Sequence, residues 1–151
     1  MKHVLFTNEG FITLKIKLEE EIEKRPDAVK TLSRAREMGD LSENGLYKAA
    51  RFELSQIDRQ IRFLKNLIKY SKVVGPINNT TVQIGHNVII ESKNGEKEYQ
   101  IVGEYEANPK MGKISHKSPI GIQLMGKKSN EVVSIVTPNA VTEYKIKSIA
   151  K

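Results

Sequence analysis

A chain of 151 residues holds one ordinary domain or two small ones and is too short for a large α/β-barrel enzyme. Lys and Arg number 25 against 18 Asp and Glu, a net charge of +7, and hydrophobic residues make up 38%, which describes a foldable chain suited to acidic partners. With no cysteine, disulfides, thiolate zinc sites and cysteine nucleophiles are excluded.

The charge is shared between the halves: residues 1–77 carry 15 basic and 11 acidic groups, and residues 78–151 carry 10 and 7. No basic tail explains it. Val4-Leu5-Phe6 is too short an apolar run for a signal peptide or a membrane span, so a cytoplasmic address is expected.

From Phe11 to Arg36, apolar or small residues fall at Phe11, Leu14, Leu18, Ile22, Val29, Leu32 and Ala35, the spacing of an amphipathic helix. Pro26 lies inside it and is expected to kink it near Arg25. A second helix is predicted from Leu46, Ala50, Leu54, Ile57, Ile61, Leu64 and Ile68, with neither Gly nor Pro between Leu46 and Val74. Only Met38-Gly39-Asp40-Leu41-Ser42 separates the two, so they should pair antiparallel as a hairpin. A helix of some 28 residues is about 42 Å long, so the hairpin is expected to project like a finger.

After Gly75-Pro76 the pattern changes to short β-branched runs, with strands predicted at 81–84, 87–91, 99–102, 132–137 and 141–149. Asn94-Gly95 signals a type I′ hairpin, Pro138-Asn139 marks another turn, and residues 119–125 suit a short helix. The fold class is therefore α+β: a coiled-coil hairpin over 1–76 and a small, mostly antiparallel sheet domain over 77–151, with 77–80 as linker.

At the hairpin tip, Asp40 and Glu43 have the spacing of a helix-capping box. Two carboxylates at the end of a long probe also suit a hard divalent cation such as Mg²⁺, completed by water and phosphate. Spacing alone leaves both readings open. On the second helix Lys48, Arg51, Arg59, Arg62, Lys65, Lys69 and Lys72 recur mainly every three or four residues, either as a solvated face or as a stripe that tracks phosphates. His3, His86 and His116 have no metal-ligand spacing and are expected to be structural or surface residues.

The stretch Ala35 to Asn44, continuing through Tyr47 to Ala49-Ala50-Arg51, resembles the tip signature of the bacterial transcript cleavage factors of the GreA/GreB family. A second stretch, Ser115-His116-Lys117-Ser118-Pro119-Ile120-Gly121, then Leu124-Met125-Gly126-Lys127 and Val132-Val133, resembles that family's C-terminal signature. The resemblance implies that the second half has the FKBP-like fold and docks on bacterial RNA polymerase through Ser118, Pro119 and Lys127, while the hairpin enters the secondary channel. It implies that Asp40 and Glu43 match the tip acidic pair that holds an Mg²⁺ shared with the polymerase, which itself hydrolyses the RNA 3′ end of backtracked complexes. The chain would then be a stimulating cofactor, with no membrane and no small-molecule substrate.

Arg34, Arg36, Lys48 and Arg51 lie nearest the tip and are expected to meet the extruded RNA, with Asn44 and Tyr47 as tip support. Lys69 and Lys72 are expected to face polymerase. The sequence departs from the family pattern at Gly45 and Leu46, where Ala and a further acidic residue are common. The alternative is a channel-binding inhibitor that does not stimulate cleavage. Prolyl isomerisation is disfavoured, because Tyr99, Tyr105 and Tyr144 are the second half's only aromatic residues.

Overall fold

The structure is a computed structural model that describes residues 2–39 and 43–151. Two compact units emerge, one made of Ile12–Tyr70 and the other of Met1–Phe11 with Ser71–Lys151. The start of the chain thus belongs with the sheet rather than with the hairpin half expected over 1–76.

In the first unit, α1 (Asn8–Arg36) enters from the chain start and is followed by α2 (Gly45–Lys69). The helices run antiparallel: Ala35 clusters with Ala50, Ala28 with Ile57 and Ile61, and Arg25 bonds Asp58. Leu14, Leu18, Ala28, Leu32 and Ala35 fit alternating steps of four and three, the knobs-into-holes period of a coiled coil. That phase differs from the expected stripe. Ile22 and Val29 are 46% and 36% exposed, and the seam positions between Leu18 and Ala28 fall to Glu21 and Arg25. The helix is continuous through Pro26, whose missing N–H leaves one carbonyl of the preceding turn without its helical donor. Arg25, beside that gap, donates to Asp58 Oδ1 at 2.7 Å, so a charged bond is added to the apolar packing of Leu18 and Ala28 on Ile57 and Ile61.

In the second unit, β1 (Val4–Phe6) pairs in parallel with β2 (Ser71–Val73), a two-stranded sheet that the helical and short-run patterns did not reveal. The main sheet has the order β5-β4-β3-β7-β6, with β3 (Asn87–Ser92), β4 (Gly95–Val102), β5 (Lys113–Ser115), β6 (Val132–Val136) and β7 (Val141–Ala150). Neighbours are antiparallel except β4 and β5. The short helix α3 (Pro119–Leu124) supplies Leu124 to a core that includes Val88, Ile90, Ile101 and Ile146.

The expected strand over 81–84 is not a strand. Only Thr81 bridges Lys128, and the segment is held by Val82 N–H donating to the Lys127 carbonyl at 2.9 Å. Its alternation was real, because Val82 and Ile84 are buried, but their backbone bonds go to a turn. The hairpin at Asn94-Gly95 forms, yet only Gly95 has positive φ (113°), so the turn is not of type I′, which needs two such residues.

The first turn of α1 is fastened within this unit. Thr7 Oγ1 accepts from the Gly10 N–H at 3.0 Å, a helix cap that explains why α1 begins ahead of Phe11. The Glu106 carboxylate accepts from the Thr7 N–H (2.8 Å), the Gly103 N–H (2.9 Å) and the Thr7 hydroxyl. A Cβ on Gly103 would lie 1.9 Å from the Leu5 carbonyl oxygen, so only glycine permits this approach.

Candidate functional site

The last turn of α1 tightens as the Glu37 and Met38 N–H groups donate to the Arg34 and Ala35 carbonyls, both at 3.2 Å. Asp40 lies outside the described residues, as do Leu41 and Ser42. Glu43 follows in an exposed turn, and Asn44 caps α2. Asn44 Oδ1 accepts from the Tyr47 N–H at 3.1 Å while its Nδ2 donates to the Ala35 carbonyl at 2.9 Å. One amide therefore caps the start of α2 and ties it to the end of α1.

This displaces the capping box read from Asp40 and Glu43. A cap residue must directly precede the helix, and α2 begins at Gly45. Asn ranks with Asp and Ser as a helix cap, so the residue type at position 44 was the available signal. The consequence concerns Glu43. With Asn44 as the cap of α2, Glu43 is an exposed residue in the turn just before it.

Beneath the tip, Leu32, Ala35 and Ala50 are buried, with Tyr47 and Leu54 packed against them. Alanine at 35 and 50 lets the two backbones approach closely, and Tyr47 closes the end of the seam. The seam divides the tip into two flanks. Arg36, Lys48 and Arg51 each follow a seam residue (Ala35, Tyr47, Ala50), are exposed, and share one flank. Arg34 precedes Ala35 and lies on the other flank, where it lines a groove of about 290 Å³ with Met38, Leu46, Ala49 and Glu53. The four tip cations expected to act together are thus split three and one.

Farther along α2, Arg62, Lys65 and Lys69 continue the basic flank with one acid, Asp58, among them. The hydrogen bond from Arg25 holds the Asp58 carboxyl below its ordinary range, so that acid stays charged and neutralised by α1. Arg59 stands one position off this row. The Lys69 ammonium lies 5.4 Å from the Tyr70 ring centroid, and Lys72 is on β2 in the other unit.

The residues singled out in the second signature have structural duties. Ser118 Oγ accepts from the Gly121 N–H at 3.0 Å and donates to the Ser115 carbonyl at 2.7 Å, capping α3, and Pro119 takes the first helical position, where its missing N–H costs nothing. Pro119 is exposed; Lys127 is half-buried, with its carbonyl receiving Val82. His86, which carried no spacing signal, is fully buried. Its Nδ1 accepts from the Gln83 N–H at 2.9 Å and its Nε2 lies 3.1 Å from Asn79 Oδ1, so the ring is neutral with the proton on Nε2.

No set of three His, Asp or Glu side chains among the described residues converges on a metal position. Glu43 by itself is a single oxygen donor group, which suits an Mg²⁺ ion held mainly by other ligands. Among the described residues, no helix is long and apolar enough to cross a membrane.

Residues 4–73 match the family model of the transcription elongation factor N-terminal domain, and residues 77–151 match that of the GreA/GreB transcription elongation factor C-terminal domain. The transcription elongation factor GreA of Thermoanaerobacter pseudethanolicus is 43% identical over 159 residues, with 99% of each chain covered. GreA of Staphylococcus saprophyticus is 40% identical over 142 residues, covering 91% of this chain and 90% of the relative. The crystal structure of GreA factor homolog 1 of Thermus thermophilus is 27% identical with a TM-score of 0.46, covering 99% of this chain and 100% of that one.

Proposed function

The chain belongs to the GreA/GreB family of transcription elongation factors, and on that premise we propose that it inserts its hairpin into the RNA polymerase secondary channel and stimulates hydrolysis of backtracked RNA 3′ ends. It is a cofactor of the polymerase, not an enzyme in its own right, and it acts where transcription takes place, in the cytoplasm. The observation that carries the reading is Glu43: exposed at the tip, next to a helix start that Asn44 already caps.

Asp40 and Glu43 would hold an Mg²⁺ ion together with polymerase ligands and RNA phosphate, and that ion would polarise a phosphoryl oxygen or activate water. The described residues around the tip and in the sheet unit supply the supporting roles. Asn44 fixes the start of α2 against the end of α1, Tyr47 closes the seam beneath it, and Arg36, Lys48 and Arg51 offer a cationic flank to the RNA backbone. Ser118, Pro119 and Lys127 are assigned to polymerase docking, with α3 capped and rigid behind them.

The test is factor-dependent cleavage in stalled elongation complexes. Asp40→Asn and Glu43→Gln should each cut stimulated cleavage by at least about tenfold, roughly 1.4 kcal/mol of transition-state stabilisation, with polymerase binding retained. Raising Mg²⁺ should restore part of the loss. Variants that cleave like the parent, or a parent that stimulates nothing at any Mg²⁺ concentration, would make this a channel-occupying modulator instead.

A further inference from the structure

Among the described residues near the tip, exposed apolar side chains gather in the groove on the Arg34 flank. Met38 and Leu46 are 67% and 63% exposed, and Ala35, Ala49 and Ala50 line the groove with them. Scattered exposed apolar residues are ordinary; here two of them share one concave groove with three alanines. Leu46 stands where the family pattern commonly has an acid, which gives the groove an apolar wall in the first turn of α2. Its volume of about 290 Å³ lies at the small end of ligand sites and suits one planar group.

We propose that this groove seats the unpaired terminal nucleobase of the RNA 3′ end. The inference rests on the function proposed above and concerns a different flank from the cations that would follow the backbone. Three features select a base over an apolar protein side chain. Arg34 at the rim matches the phosphate attached to the base, or stacks on its face. Met38 offers a polarisable thioether to an aromatic ring. Glu53 lines the groove as well and accepts from an exocyclic amino group, which adenine, cytosine and guanine have and an aliphatic side chain lacks.

The experiment uses polymerase elongation complexes backtracked by one nucleotide, with the full-length factor and RNAs that differ only at the 3′ residue: 2-aminopurine, or an abasic ribose. With the parent factor, the polymerase should cleave the base-bearing RNA at least about fivefold faster than the abasic one. The 2-aminopurine emission should change when the factor binds, whether or not cleavage follows. Leu46→Ser, an exposed change in the first turn of α2, should abolish both effects, and Leu46→Met should keep them.

Cleavage that is stimulated yet blind to the base overturns the groove assignment alone. An emission change without stimulated cleavage retains the groove and overturns the cleavage reading alone. If Leu46→Ser instead weakens polymerase binding equally on both RNAs, the groove takes a polymerase side chain and the proposal fails. An emission change that survives Leu46→Ser but is lost in Arg36→Ala with Arg51→Ala places the base on the opposite flank, which also overturns it.

Discussion

In the sheet unit, Val88, Ile90, Ile101, Leu124 and Ile146 are removed from water on every side, whereas the seam of the hairpin buries Ala28, Leu32, Ala35, Ile57 and Ile61 between two helices with solvent on both flanks. Two helices enclose side chains less completely than a sheet core does, so the hairpin adds alanines and Tyr47 near its tip, a charged bond from Arg25 to Asp58 in its middle, and one amide at its end. The sheet unit has the more enclosed core, and the hairpin has the exposed chemistry. Mutations of the same kind should therefore cost different amounts in the two units.

The largest contrast is expected from emptied cores. Leu124→Ala should cost about 4 kcal/mol and Ile57→Ala about 2 kcal/mol, the upper and lower parts of the usual range, because the seam side chain can be partly replaced by water. Residue-resolved hydrogen exchange under mild denaturant measures both in one sample, and equal losses would break the comparison. Glycines sharpen it next. A Cβ on Gly121 would lie 2.0 Å from the Ser115 carbonyl oxygen, so Gly121→Ala should cost about 2–3 kcal/mol. A Cβ on Gly45 meets nothing within 4 Å, and Gly45→Ala should stabilise the hairpin by about 0.4–1 kcal/mol, read as a rise in helix melting temperature.

Asn44 is the hairpin's own point of weakness. Asn44→Ala should cost about 1–2 kcal/mol, because it removes a helix cap and also leaves the Ala35 carbonyl without its cross-helix donor. Asn44→Asp should recover only the cap, so its melting temperature should fall between those of Ala and the parent. A variant Asp that equals the parent would show that the bond to Ala35 contributes nothing.

Those residues also show what was legible in the sequence. Both helices, the antiparallel pairing and most strands of the sheet followed from periodicities of 3.5 and 2, because one face of each element must be buried. The structure departs from those patterns where burial and backbone bonding part company. Val82 and Ile84 alternate like a strand but bond to a turn, and β1 and β2 are too short for any period to show. Ile22 and Val29 looked like seam residues until Glu21 and Arg25 took those places, which requires knowing that Asp58 lies opposite. At the tip, residue types drew attention to Asp40 and Glu43, but which residue caps α2 depends on where the helix starts, a matter of a few residues that composition does not fix.

A smaller effect should appear with pH in the sheet unit and be absent from the hairpin. Burial pushes the His86 imidazole below its ordinary value, and a proton on Nδ1 would face the Gln83 N–H donor. The unfolded chain then binds the proton more readily than the folded one. The contribution of neutral His86 is complete above the unfolded pKa of about 6.5 and is lost as pH falls below it toward the depressed folded value. Melting curves from pH 7.5 to 5 should show falling stability in exchange-protected amides of β3 and β4, and His86→Gln should flatten that slope. A slope shared equally by amides of α1 would assign it to another group.

The smallest expected effects separate the two flanks of the tip. Each Lys or Arg contact to a single-stranded phosphate contributes about 0.7 to the slope of log affinity against log salt. If Arg36 and Arg51 track the RNA backbone together, Arg36→Ala with Arg51→Ala should lower the slope for factor-stimulated cleavage by roughly 1.4, while Arg34→Ala alone should lower it by about 0.7. Because Arg34 lies on the groove flank, opposite the other two, the triple variant should show the sum of the two losses within error. The quantity to measure is the half-maximal factor concentration for cleavage over a salt series, alongside polymerase binding by competition. A triple variant no worse than the double would show that Arg34 never meets phosphate. Parallel losses in polymerase affinity at every salt would mean that the arginines grip the channel wall, and the split between a backbone flank and a base flank would no longer describe the tip.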